Sequence, residues 1–351
     1  MLAAISPAGR QQRPETPEDL PMNLITAISC SVFAMSSVST QDTEKPQQPA
    51  AEVSPPRDIT LETLADEDAL RTLQAPGERV FEDDFESEAS LEKYFELQGR
   101  KQGKLRLITD EELAHGGHGA LRLDAPENDG AESGSGAVGW LGAEGHDRIY
   151  FRRYIRFAAD YDQGNLNHTG GGLAGVAGTG KWDGMGKAGV RPVGDDRFTS
   201  SFEPWRDWGR SPAPGYMCLY TYWMDMQPSR GDKWWGNLLQ PPEKRRRELK
   251  RDEWICLEQM ISVNTIGEAD GELAAWIDGE LYLHLTGFRW RTDERLKIKR
   301  FRLGIYVHEA RKDNTVWYDD VVLSTGYIGP VPAADEAGEA VEELPEAPES
   351  K

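Results

Sequence analysis

Leu273-Ala-Ala-Trp-Ile-Asp-Gly-Glu-Leu-Tyr-Leu-His-Leu285 decides how the rest of the chain is read. Two apolar runs flank Asp278-Gly279, and that dipeptide supplies the positive φ values a two-residue hairpin turn demands at both central positions. An antiparallel hairpin is therefore predicted. Working outward, the same texture recurs in Trp254–Val263, Phe301–Val307 and Val316–Leu323, and before them in Met217–Trp223, Ile149–Phe157, Ala120–Leu123 and Val80–Phe85. Along one of these runs Phe301, Leu303, Ile305 and Val307 alternate with Arg302, Gly304, Tyr306 and His308, which puts a core face and a polar, aromatic face on one strand. No long helical pattern competes, and 36 glycines and 21 prolines suit many turns between short strands. The expected fold is all-β, two antiparallel sheets packed face to face.

This sandwich is expected over residues 79–330 of the 351-residue chain. Before it, 58–78 reads as a short amphipathic helical segment through Leu61, Leu64, Leu70 and Leu73, and 40–57 as a Pro- and Gln-rich linker. Residues 22–39, opening at Met22 and closing on small residues, read as a signal peptide, with 1–21 a non-native or disordered leader. A periplasmic or secreted protein follows, cut near Thr40. The segment is too short and polar for a stable membrane span. After the sandwich, 331–351 carries seven acids against one lysine and reads as a disordered tail. The net charge of -20 argues against nucleic acid as partner, since phosphate contacts need a basic surface. A polysaccharide, neutral or anionic, fits, and the chain is read as a monomer.

The order of several segments carries a resemblance. They are Phe81-Glu-Asp-Asp-Phe-Glu86, Tyr150-Phe-Arg-Arg-Tyr-Ile-Arg-Phe157, the glycine run Gly170-Gly-Gly-Leu-Ala-Gly-Val-Ala-Gly178, and Trp254-Ile-Cys-Leu-Glu258 leading to Asn264. Asp270–Gly279, Trp317-Tyr-Asp-Asp-Val321 and Tyr327-Ile-Gly-Pro330 follow. Together, over about 250 residues, they resemble the concanavalin A-like lectin and glucanase superfamily, and within it the family 14 polysaccharide lyases and related lyase-like jelly rolls. The resemblance implies a β-jelly roll that cleaves a uronate-containing polysaccharide by β-elimination and requires no cofactor. In those lyases the glycine loop carries a lysine, a later strand Ser-x-Arg and the next Tyr-x-Tyr. Leu219-Tyr-Thr-Tyr-Trp223 matches the tyrosine pair, Gly172 stands at the lysine position, and Phe202 and Glu203 stand two residues beyond Ser200 and Ser201.

Elimination needs a group to neutralise the uronate carboxylate, a base for the C5 proton and an acid for the leaving oxygen. Tyr220 and Tyr222 share parity and so leave one face of one strand, where they can supply base and acid. Arg153, His168, Arg191 and Lys181 are the candidates for the cation or donor. Ser201, Glu203, Tyr306 and His308 are expected to line the groove, and Glu258 with them through its parity with Cys256 and Met260.

Other readings remain open. A non-catalytic carbohydrate-binding module needs only the groove and its aromatics. A glycoside hydrolase needs two carboxylates, for which Glu268-Ala-Asp-Gly-Glu272 or Glu203 with Glu258 are the candidates. Glu82, Asp83, Asp84, Asp319 and Asp320 leave room for a structural calcium if the first and last strands pair. Lys244-Arg-Arg-Arg247 reads as a solvated run, and Trp182, Trp205, Trp208, Trp234 and Trp235 as loop aromatics for sugar stacking or edge cover. Cys218 and Cys256 meet if their strands pair in register, and otherwise are buried thiols.

Overall fold

The structure, a computed structural model, describes residues 60–61, 67–228 and 233–332. The expected leader, signal peptide, linker and nearly all of the acidic tail lie outside these residues. The strands are β1 (Thr60–Leu61), β2 (Arg79–Asp83), β3 (Tyr94–Gln98), β4 (Leu105–Thr109), β5 (Gly119–Ala125), β6 (Ser133–Trp140), β7 (Arg148–Phe157) and β8 (Gly172–Val176). They continue as β9 (Arg197–Trp205), β10 (Tyr216–Tyr222), β11 (Asn237–Leu239), β12 (Trp254–Ser262), β13 (Gly271–Ile277), β14 (Glu280–Phe288), β15 (Lys297–Val307) and β16 (Asn314–Ser324). One helix, α1, spans Glu67–Leu73.

All pairings between these strands are antiparallel, in two sheets. A nine-stranded sheet runs β1-β14-β13-β12-β7-β16-β5-β4, with β2 also on β16, and a seven-stranded sheet runs β11-β10-β9-β8-β15-β6-β3. This is the all-β jelly-roll sandwich expected. Ile277 pairs with Glu280 across the predicted turn, and φ is 51° at Asp278 and 80° at Gly279.

The core lies between the sheets. Phe301, Leu303, Ile305 and Val307 reach it from β15, and Ile255, Leu257 and Ile261 from β12. The two outer faces differ. A second buried cluster on the nine-stranded sheet, Tyr150, Met260, Ala274 and Trp276, is covered by Leu73 of α1 and by Tyr327 and Ile328. The Tyr150 hydroxyl donates to the Leu73 carbonyl at 2.6 Å, and the Tyr154 hydroxyl accepts from the Val331 amide at 2.9 Å.

Two expectations, on Glu258 and on the helix, are corrected here, and the alternatives left open for Cys218 and Cys256 resolve to buried thiols. Glu258 does not line the groove: β12 belongs to the nine-stranded sheet, and the carboxylate accepts the Ile328 and Gly329 amides at 3.0 and 2.9 Å under the C-terminal cover. Burial pushes its acid up to about 7 despite those two bonds. Cys218 and Cys256 lie on strands of different sheets, and both are free, buried thiols. The helix is shorter than its leucine spacing suggests, because Thr60–Leu61 pairs with the β14 edge.

The strands that carry Glu82, Asp83, Asp319 and Asp320, β2 and β16, do pair, Val322 opposite Glu82 and Val321 opposite Asp83. Their acids are engaged within the protein. Asp83 holds Lys93 at 2.9 Å, and Asp319 accepts the His115 and Gly116 amides at 2.8 and 3.3 Å. Among the described residues no group of three or more His, Cys, Asp or Glu is placed to hold a metal ion, and no helix is long and apolar enough to cross a membrane.

Candidate functional site

Alternation along β10 sends Met217, Leu219 and Thr221 inward and Cys218, Tyr220 and Tyr222 to the outer face. The hydroxyls of Tyr220 and Tyr222 lie 3.2 Å apart, with rings nearly perpendicular at 5.5 Å between centroids. Backbone amides reach both: Gly236 donates to the Tyr220 hydroxyl at 3.0 Å, and Gly189 to that of Tyr222 at 3.5 Å. Burial, and then the neighbouring Tyr222, raises the Tyr220 phenol far above its ordinary range, so it keeps its proton.

The register carries this face across the sheet. Ser201 of β9 stands opposite Tyr220, Gly172 of β8 opposite Ser201, and Arg302 of β15 opposite Gly172. One row thus holds two hydrogen-bonding side chains, a bare backbone position and a cation. Gly172 is bare for a reason: a Cβ there would lie 2.5 Å from the Ser200 carbonyl oxygen and 2.8 Å from Ser201 Oγ. A lysine at this position would drive β8 off β9.

Beside that row, Glu203 of β9 is buried and His168 covers it. The imidazole Nδ1 lies 3.1 and 3.2 Å from the two carboxylate oxygens. His168 is carried by the segment entering the glycine run, pinned to β15 by its amide bond to the Tyr306 carbonyl at 2.8 Å. Its ring sits 4.9 Å from that of Tyr220, lies almost parallel to Tyr306 at 6.0 Å, and meets His308 at 5.2 Å. Burial, and next the adjoining His168, pushes His308 down to about 4, so it is neutral near pH 7. Glu203 takes up Nδ1, which leaves Nε2 as the ring nitrogen for another partner.

Seven of the ten expected site residues therefore gather on one face: Tyr220, Tyr222, His168, Ser201, Glu203, and Tyr306 and His308 on the stripe of β15. Arg191 borders it. Its guanidinium lies 5.0 Å from the Trp234 ring centroid and donates to the Met224 carbonyl at 2.7 Å, in the loop whose Gly189 touches Tyr222. Lys181 is spent elsewhere, over the Phe95 ring at 5.7 Å.

Arg153 is a correction. It shares the inward parity of Phe151 and Ile155, is fully buried, and donates to the carbonyls of Gly170 (2.6 Å), Phe151 (3.2 Å), Gly171 (3.5 Å) and Phe202 (3.3 Å). It props the glycine run and the residue before Glu203 from beneath. Burial lowers its guanidinium to about 10, still charged at neutral pH. The cation on the groove side is Arg302, which makes no ion pair among the described residues. Its place on the outer stripe of β15 was readable; its lack of a counter-charge was not. The two hydrolase pairings also fail. Glu203 and Glu258 belong to different sheets, and Asp270 is tied to Thr265 in the turn before β13, with Thr265 N at 2.7 Å.

No family model matches the chain, and no curated protein matches it in sequence. Among solved structures, the marine PL-14 alginate lyase from Aplysia kurodai is similar at 14% identity and a TM-score of 0.53, covering 71% of this chain and 99% of that one. An alginate lyase from a Chlorella virus is similar at 14% identity and a TM-score of 0.51, covering 71% and 100%. The endo-β-1,4-glucuronan lyase of the fungus Trichoderma reesei superposes at 15% identity and a TM-score of 0.45, covering 71% and 96%. The chain has the concanavalin A-like jelly-roll fold on which the two alginate lyases are built.

Proposed function

We propose that the protein is an exported polysaccharide lyase that cleaves a uronate-containing glycan by β-elimination on the outer face of the seven-stranded sheet. The observation that carries this reading is the meeting of His168, oriented by buried Glu203, with the hydroxyl pair of Tyr220 and Tyr222. His168 Nε2 takes the C5 proton. The C5–H electron pair forms the C4=C5 double bond, the C4–O bond breaks, and the leaving oxygen takes a proton from the tyrosine pair. Arg302 neutralises the carboxylate on C5, which stabilises the carbanion-like charge developing there. Exposed Trp208 and Trp182 offer rings for sugar stacking. Export through the Met22–Ser39 segment belongs to the same reading.

A non-catalytic binding module is favoured by one observation, the absence of room for a lysine at Gly172. The two readings separate on the ultraviolet absorbance of unsaturated product from polyuronates such as alginate and glucuronan. Tyr222→Phe and His168→Ala should each cut its formation by about 100-fold or more, the usual scale for losing a general acid or base, with strand-rich circular dichroism unchanged. Undiminished formation in both variants would contradict these roles, and binding with no product from the parent would favour the module.

A further inference from the structure

A cavity of about 300 Å³ lies away from this groove, between Lys244 to Arg247 on one side and Ile277, Glu280, Leu281 and Tyr282 on the other. Its second wall is the β13–β14 turn of the nine-stranded sheet, so it is separate from the face that carries Tyr220 and His168. Two of its four cations are engaged. Arg247 meets Asp278 at 2.6 Å, and Arg246 lies over the Tyr216 ring at 4.7 Å and donates to Gln240 at 3.2 Å. Arg246 also faces the Asp207 carboxylate at 3.9 Å, but its Nε is buried with no hydrogen-bond partner. The side chains of Lys244 and Arg245 make no ion pair or hydrogen bond among the described residues, and of those residues Glu280 is the only carboxylate lining the cavity.

Four cations at one cavity stand out in a chain of net charge -20. Like charges crowded together repel, and an incoming anion relieves that repulsion while supplying acceptors for the idle donors. Ile277, Leu281 and Tyr282 make the opposite wall largely apolar. A cationic rim beside an apolar wall matches a sugar ring that carries a carboxylate: the C–H face packs on the wall and the charge meets the guanidinium groups. We propose that this cavity is a second binding site for an acidic sugar unit, one that grips the polysaccharide outside the groove. The choice of a uronate polymer rests on the proposed lyase function. Two attachment points on one polymer raise its effective concentration at the groove without any new contact there.

The test is retardation in native gels containing alginate or glucuronan, in the Tyr222→Phe background so that the polymer survives. Lys244→Gln with Arg245→Gln should weaken retardation about tenfold or more at low salt, since each charge-assisted bond lost is worth roughly that factor. Glu280→Gln should strengthen it. In the otherwise native protein the double substitution should leave turnover of short oligouronates unchanged. Equal retardation of parent and double variant, or equal loss in gels of a neutral glucan, would overturn the proposal. If no polymer yields unsaturated product yet the double variant still loses retardation, the cavity stands and the lyase reading falls. If product forms and retardation is unaltered, only the cavity proposal falls.

Discussion

Gly172 sets how closely β8 approaches β9 by the side chain it lacks. Because a Cβ there would sit 2.5 Å from a backbone oxygen of the neighbouring strand, Gly172→Ala should destabilise the fold by about 1–3 kcal/mol, the scale of overpacking. Urea unfolding measures this, and a neutral result would mean that β8 and β9 tolerate separation. Under the proposed lyase function, Arg302 is the cation that this face offers in place of a lysine at Gly172. His308 supplies a pH-dependent term. Held at about 4 when folded against 6.5 when free, it leaves the folded chain with fewer bound protons between those values. Its contribution to stability is therefore complete above about pH 6.5 and is lost as the pH falls through 4, at most about 3 kcal/mol in all. His308→Phe should flatten the acid limb of a stability-against-pH curve, and an unchanged limb would contradict the assignment. The resemblance singles out Tyr220 and Tyr222 and alternation puts them on one face; alternation alone singles out Tyr306 and His308. Arg153 stands among the site candidates for its charge without regard to parity, and four backbone carbonyls satisfy that charge in the core.

Glu258 makes the same lesson visible at the level of elements. Period-two patterning assigns a residue to a face of its strand, but not the strand to a sheet, and β12 joins the sheet opposite β10. What the carboxylate does instead is fasten the segment after β16 to the outer face of the nine-stranded sheet through the Ile328 and Gly329 amides. Glu258→Ala should cost about 2–3 kcal/mol, from two lost bonds to a charged or partly charged acceptor. It should also speed hydrogen exchange at those two amides ahead of the strands, and unchanged exchange would deny the fastening. The β13–β14 hairpin was legible because Asp278-Gly279 fixes turn type and register locally. The start of α1 was not, since leucine spacing is a local signal and the pairing of Thr60–Leu61 with β14 is a distant one.

Across the whole molecule, one outer face is sealed by α1 and the C-terminal segment while the other carries the histidines, tyrosines and arginine of the groove. The two sheets, packed back to back, therefore present unlike outer faces. The central claim is that the face carrying the groove breaks the glycosidic link by removing a proton rather than by adding water. Mass analysis of oligosaccharides released from a defined polyuronate tests it directly. The account predicts fragments whose new non-reducing ends are unsaturated, each lighter by one water than the hydrolytic fragment of the same length; saturated fragments of full hydrolytic mass would contradict it.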